Sequence, residues 1–238
     1  MGRIIKTWRD PYDEGFTPTR PRQIEINPGL TILVGCNGAG KTTLLHNIES
    51  ELKKEDIPCK LWSNLHDGGS KAISSAFYEN DYGLGATLTC SSEGECISLN
   101  FGSFISKLRE FLRTGFYNDT GSRLARAFAA ACTDGDEKEK EIGNERWLLF
   151  DALDSGLSVD NIVDIIDVIN LIIKDATGYF GIEPYIIISA NEYELCRNNP
   201  CFDVNAGKYI TFKDYEDYRK HILKSREKKD KRYKKKGE

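Results

Sequence analysis

"INPGLTILVGCNGAGKTTLL", residues 26–45, changes its pattern twice. "LTILV" is an apolar, β-branched run entered from Asn27-Pro28-Gly29, the signature of a buried strand after a tight turn. "GCNGAG" then offers almost no side-chain bulk, and from Lys41 good helix formers with apolar residues at helical spacing predict a helix over about 41–52. Strand, glycine-rich loop and helix stand in the order that G-x-x-x-x-G-K-[ST] requires, through Gly35, Gly40, Lys41 and Thr42. The physical reason is simple. Glycines let the backbone wrap a phosphate with its amide N–H groups turned inward, and the helix start adds the positive end of its dipole. The expected nucleotide-binding residues are therefore Gly35, Cys36, Asn37, Gly38, Ala39, Gly40, Lys41, Thr42 and Thr43. Lys41 reaches the β/γ-phosphates and the Thr42 hydroxyl ligates Mg²⁺.

Outward from this stretch, strands alternate with helices. "RQIEI" precedes the turn as a second strand across it, and "CKLWSNL" reads as another strand. Residues 67–85, rich in Gly, Ser, Asn and Asp, are expected as loop or a short helix. "ATLTCSSEGECISLNF" alternates about a Ser/Glu/Gly turn, as a hairpin or as a strand leading into the helix "SFISKLREFLR". "GSRLARAFAAACT" predicts a helix, and "DGDEKEKEIGNE" an exposed connector. "WLLFD" is strand-like; "SVDNIVDIIDVINLIIKDA" is a helix from Ser158, apolar on more than one face as if sandwiched against a sheet. "PYIIISA" and "KYITF" are strands, and Thr211 with Asp214 resembles a capping box for a helix whose Tyr215, Tyr218 and Ile222 share a docking face. The alternation, with buried Ile/Leu/Val runs, predicts an α/β fold with a largely parallel core sheet.

Bulk properties narrow the class. With 238 residues, 39% hydrophobic and 11% aromatic, the chain can bury a core as one large domain or a domain carrying an inserted lobe. No apolar run reaches the roughly 18 residues of a membrane span, and "MGRIIKTWRDPYDEG" lacks the apolar stretch of a signal peptide. A soluble, cytoplasmic protein without membrane insertion is expected. The 7 cysteines are odd in number and form no C-x-x-C pair, which suits reduced thiols; "CRNNPC" could lend two metal ligands but has no second pair. The net charge of −4 conceals a division: residues 219–238 hold 11 Lys/Arg against 3 Asp/Glu, a local +8 that leaves −12 on the rest. This basic tail is expected to fray beyond its first turns. It can neutralise phosphates of a nucleic acid, or simply be solvated.

The second decisive stretch is "WLLFDALDSGLS", residues 147–158. Together with "INPGLTILVGCNGAGKTTLL" it resembles the ABC-type P-loop ATPases, in particular the RecF/SMC-like branch that works on DNA. The resemblance implies a P-loop NTPase fold with an antiparallel N-terminal β portion and a helical lobe, here about residues 65–146 of a single head spanning 1–218. Asp151 takes the Walker B place as a Mg²⁺-side ligand with Thr42, and Ser155 and Gly156 the D-loop place. It also implies ATP as ligand and an ATP-dependent homodimer, each site completed by the partner's S-x-G-[EQ] signature. Ser92, Gly94 and Glu95 of "SSEGE" match that signature; "DTGSR", with Gly121, is the alternative segment. Coiled-coil arms have no room and no heptads.

The departures bear on activity. Ala152 stands where the family has its water-polarising Glu, Ala190 and Asn191 where its switch His is expected, and the sole Gln of the chain is Gln23. Asn64 or His66 are the residues nearest to a Q-loop substitute. A missing general base costs about 10²- to 10⁴-fold in rate. Asp154, three positions past Asp151, is the candidate to position water in its place or to cap the next turn, and Asn191 is the candidate γ-phosphate switch. The expected function is a slowly hydrolysing ATPase, with Lys41, Asp151 and Asp154 catalytic, that switches DNA or a DNA-processing partner protein. The alternatives are a nucleotide-binding regulatory subunit of a defence or toxin system, a transporter's ATPase subunit, or a phosphotransferase.

Overall fold

The computed structural model describes residues 2–7, 23–63, 82–90, 105, 107–116 and 143–234. The main sheet contains β3 (Gly29–Val34), β4 (Cys59–Ser63), β5 (Glu145–Asp151), β6 (Glu183–Ser189), β7 (Cys201–Asp203) and β8 (Lys208–Ile210). Their order is β4-β5-β6-β3-β7-β8, parallel throughout except for the antiparallel β7–β8 edge. A separate two-stranded antiparallel sheet joins β1 (Arg3–Lys6) to β2 (Gln23–Ile26). The fold is thus α/β, with a mostly parallel six-stranded sheet, flanking helices and a small antiparallel sheet.

Strand alternation decides what each face buries. Leu30, Ile32 and Val34 of β3, Leu148 and Phe150 of β5, and Ile186 and Ile188 of β6 project to one side. Leu33, Trp147, Leu149, Tyr185 and Ile187 project to the other. Both faces are covered, which is why these strands read as unbroken apolar runs rather than as alternating ones. On the second face lie α1 (Lys41–Lys54), through Leu44, Leu45, Ile48 and Leu52, and the small sheet through Ile5, Ile24 and Ile26. Trp147 and Tyr185 stack there with ring centroids 4.1 Å apart. Each such fully buried side chain stabilises the fold by about 1.5–3 kcal/mol.

The first face is covered by α4 (Val159–Phe180), which buries Ile162, Ile165, Ile169, Ile172 and Ala176 at spacings of three and four. The helical stretch 107–114, α3, adds Leu108, Phe111 and Leu112 to the same core, and the short α5 (Tyr193–Cys196) adds Leu195 and Cys196. The expected two-faced burial of α4 is not seen among the described residues: Val159, Val163 and Leu171 are exposed. Its boundaries follow from local chemistry, with Ser158 extended before the first turn and Gly181 left-handed (φ 62°) after the last. No helix among the described residues is long and apolar enough to cross a membrane.

Several local expectations change. Residues 86–90, "ATLTC", are not strand but the end of α2 (Tyr82–Cys90). There the Thr87 and Thr89 hydroxyls donate to the carbonyls of Gly83 and Gly85 one turn back, satisfying within the helix the polar groups that suggested alternation. The strands on either side of Asn27-Pro28 do not pair with each other, for β2 pairs with β1 and β3 enters the main sheet. β1 and β7 are further strands that the sequence reading did not single out. Asp214 rather than Thr211 caps α6 (Tyr215–Lys234), its Oδ1 accepting the Asp217 N–H at 2.9 Å. α6 also runs on to Lys234 instead of fraying after its first turns, because Tyr218 and Ser225 are buried along one face. Most of the expected lobe, including the "GSRLARAFAAACT" helix, lies outside the described residues.

Candidate functional site

Three neighbouring strands end on the same side of the sheet. β3 runs into the loop 35–40, β6 into Ser189-Ala190-Asn191, and β5 into Asp151. β6 separates the other two, and Leu33 is registered with Ser189 as Phe150 is with Ile188. Crevices beyond the carboxyl ends of parallel strands are the common ligand position in α/β sheets, because the helix starts and free backbone groups gather there.

The loop is shaped by its glycines. Gly38 (φ 74°) and Gly40 (φ 92°) hold left-handed conformations that a side chain resists, and the Ala39 N–H donates to the Cys36 carbonyl at 2.9 Å to close the turn. Gly40 then opens α1, whose first residue, Lys41, turns its side chain back: its Nζ donates to the Gly35 carbonyl at 2.9 Å. Lys41 is buried, and that burial lowers its pKa from the ordinary 10.5, opposed by the carboxylate of Asp154, then Cys36 and the carboxylate of Asp151. An ammonium over a glycine loop at a helix start is an arrangement that can attract an anion, a phosphate among them. Thr42 and Thr43 are exposed on the open side of the first turn.

Asp151 meets this turn from across the sheet. The Thr42 hydroxyl donates to Asp151 Oδ1 at 3.1 Å, and the Ser189 hydroxyl donates to the same oxygen at 2.8 Å. Ser189 Oγ in turn accepts the Ala152 N–H at 2.7 Å, so the intervening strand fixes both the carboxylate and the backbone that follows it. Thr42 and Asp151, separated by 109 positions, are thus brought together as a hard-oxygen pair suited to a divalent cation. Ser189 was not anticipated; the only hint was a serine closing an apolar strand.

Beyond Asp151 the arrangement is different in kind. Ala152 sits at φ 53°, a left-handed conformation that costs a non-glycine residue roughly 1–2 kcal/mol. Asp154 is buried, with Oδ2 accepting the N–H groups of Asn191 at 2.5 Å and Glu192 at 2.7 Å, and Oδ1 facing Asn191 Nδ2 at 3.3 Å. These donors make Asp154 a clamp that ties the end of β5 to the end of β6. They lie 37 and 38 positions away, so the side chain binds the 191–192 segment and does not cap the turn that follows Asp154. Asn191, held by that clamp, accepts the Tyr218 hydroxyl at its carbonyl (2.8 Å) and borders the cavity at the loop. Ser155 and Gly156 lie exposed in the following turn, Gly156 at φ 81°. Ser92, Gly94, Glu95, Gly121, Asn64 and His66 lie outside the described residues.

The last element to reach the site is α6. Tyr218, Ile222, Arg226 and Lys229 line, with the loop and Asn191, a cavity of about 480 Å³. Lys229 Nζ donates to the Asn37 carbonyl at 2.8 Å, and buried Ser225 accepts the Cys36 N–H at 3.3 Å. Tyr218, Ile222, Ser225 and Lys229 recur at four, three and four positions, a helical face legible in sequence only to its apolar end. Cys196 and Cys201 are buried free thiols. Both donate weakly to backbone carbonyls. No protein-family model, curated protein or solved structure matches this chain.

Proposed function

We propose that the chain binds ATP with Mg²⁺ at residues 35–43 and hydrolyses it slowly, as a P-loop ATPase of the ABC-type, RecF/SMC-like branch whose nucleotide state switches DNA or a DNA-processing partner. The observation that carries the reading is the 3.1 Å Thr42–Asp151 hydrogen bond beside buried Lys41. Hydroxyl, carboxylate and ammonium converge at one helix start, and those are the groups a magnesium-bound triphosphate asks of a protein. When bound, the cation supplies charge neutralisation of the β- and γ-phosphates. Thr42 and Asp151 are the residues that would hold it, with Asp151 oriented by Ser189.

The protein's own contribution to hydrolysis is small. Ala152 offers no proton acceptor, and Asp154 spends its carboxylate on the 191–192 backbone. Lys41 can leave the Gly35 carbonyl for an incoming phosphate at little cost, since both partners exchange one hydrogen bond for another. Such a site binds well and turns over slowly. The same two residues favour the second reading, a nucleotide-binding regulatory subunit with negligible hydrolysis.

The test is MgATP titration with steady-state phosphate release, on wild type and Lys41→Ala, with gel filtration in the presence and absence of ATP. Saturable binding lost in Lys41→Ala supports the reading. Wild type that binds no nucleotide removes it, and binding without any phosphate release selects the regulatory subunit. An ATP-dependent shift to a dimer supports head-to-head assembly. For nucleic acid, truncation at 219 would unseat α6, so Gln replacements at Lys231, Arg232, Lys234, Lys235 and Lys236 are the cleaner probe. Unchanged, salt-insensitive DNA affinity would exclude the basic terminus as the contact.

A further inference from the structure

α6 is fastened to the loop at two points one turn apart. Ser225 Oγ accepts the Cys36 N–H at 3.3 Å and the Asn205 Nδ2–H at 2.8 Å, which secures the helix from two sides. Lys229, half-buried, reaches the Asn37 carbonyl at 2.8 Å. Its ammonium lies over Gly38 so closely that a Cβ there would stand 3.1 Å from Nζ. Gly38 is needed for its positive φ, while the flexible end of Lys229 could shift to admit a Cβ. Arg226 lines the same cavity one turn earlier and is exposed.

Lys41 and Thr42 would hold the outer phosphates and their cation, and the cavity bordered by Asn37 is the side from which α6 could add a further contact to a terminal phosphate. That cavity has Asn191 on one wall and α6 on another. Lys229 meets a neutral carbonyl there, a weaker partner for an ammonium than a phosphate oxygen. Rotation about its side-chain bonds, with the helix held by Ser225, exchanges one for the other.

Resting on the nucleotide-binding reading above, we infer that Lys229 is a positioning residue for the terminal phosphate, supplied in cis by the C-terminal helix, and that it makes the site prefer a nucleoside triphosphate to a diphosphate. A diphosphate leaves the amine on Asn37. A triphosphate draws it off by rotation of the side chain, with α6 held in place by Ser225.

Calorimetric titration of the full chain with MgADP and with the magnesium complex of the β,γ-imido analogue of ATP tests this. Wild type is expected to favour the analogue, and Lys229→Gln to lose about tenfold of that preference through the analogue alone, as fits one charge-assisted hydrogen bond. Lys229→Arg, which keeps the charge, retains most of the preference. An unchanged preference in Lys229→Gln overturns the inference while leaving nucleotide binding intact. Equal weakening of both ligands also overturns it, marking Lys229 as a mere fastener of the helix. Wild type that binds neither ligand removes the underlying reading, and the inference with it.

Discussion

The two carboxylates of "DALD" stand three residues apart and live in different environments. Asp151 is half-exposed at the mouth of the site and takes hydroxyls, from Thr42 and Ser189. Asp154 is buried and takes backbone N–H groups, from Asn191 and Glu192. Hydroxyl partners can be yielded to a cation or a water. Backbone donors cannot be yielded without moving a loop. The first carboxylate is therefore available for ligand chemistry and the second is committed to architecture.

The largest expected effect removes the cation both carboxylates face. Lys41→Ala is expected to weaken MgATP binding about a hundredfold or more, since a buried charge-assisted contact goes and two acids are left facing a phosphate. Titration calorimetry reads this directly, and retained affinity would detach the loop from the proposed ligand. Next comes the clamp. Asp154→Ala is expected to cost about 1.5–3 kcal/mol of stability, the range for hydrogen bonds to a charged group, and to reduce turnover strongly by freeing the Asn191 loop. Chemical denaturation beside phosphate release distinguishes the outcomes: lost turnover with full stability would return Asp154 to a catalytic part.

Ala152 sharpens the same contrast with smaller effects. If the absent acid limits hydrolysis, Ala152→Glu raises the steady-state rate about tenfold or more with nucleotide affinity little changed. A rate that stays flat would place the limit elsewhere. Ala152→Gly relieves the left-handed strain and is expected to stabilise the fold by about 1 kcal/mol, seen as a higher denaturation midpoint.

The smallest effect concerns His221, which lies on α6 beside Asp203. Its Nε2 lies 3.7 Å from Asp203 Oδ2, too far for a hydrogen bond, and burial lowers its pKa below the ordinary 6.5 despite that carboxylate. The unfolded chain therefore binds the proton more readily than the folded one. Stability rises with pH through the window just below 6.5 and falls as the medium is acidified across it. His221→Gln should flatten that dependence in denaturation series between about pH 5 and 7. A slope of opposite sign would mean that the Asp203 attraction outweighs burial.

Much of this molecule was legible in one dimension. The strands "LTILV", "WLLFD" and "PYIIISA", the helix after Lys41 and the long helix after Ser158 declare themselves because their apolar periods and punctuating residues are local properties. The loop glycines and Lys41-Thr42 are likewise local, since one turn of backbone carries the whole pattern. What a short window could not contain is pairing at long range. Thr42 with Asp151, Asp154 with Asn191, and Lys229 with Asn37 join residues 109, 37 and 192 positions apart. "DALD" offers two acids of equal chemistry, and only the neighbour strand's Ser189 and the following loop assign them different work. The basic stretch read as a fraying tail, met by nucleic acid or by solvent, for the same reason: its charges were visible, but the Asn37 carbonyl that one of them meets lies 192 positions away.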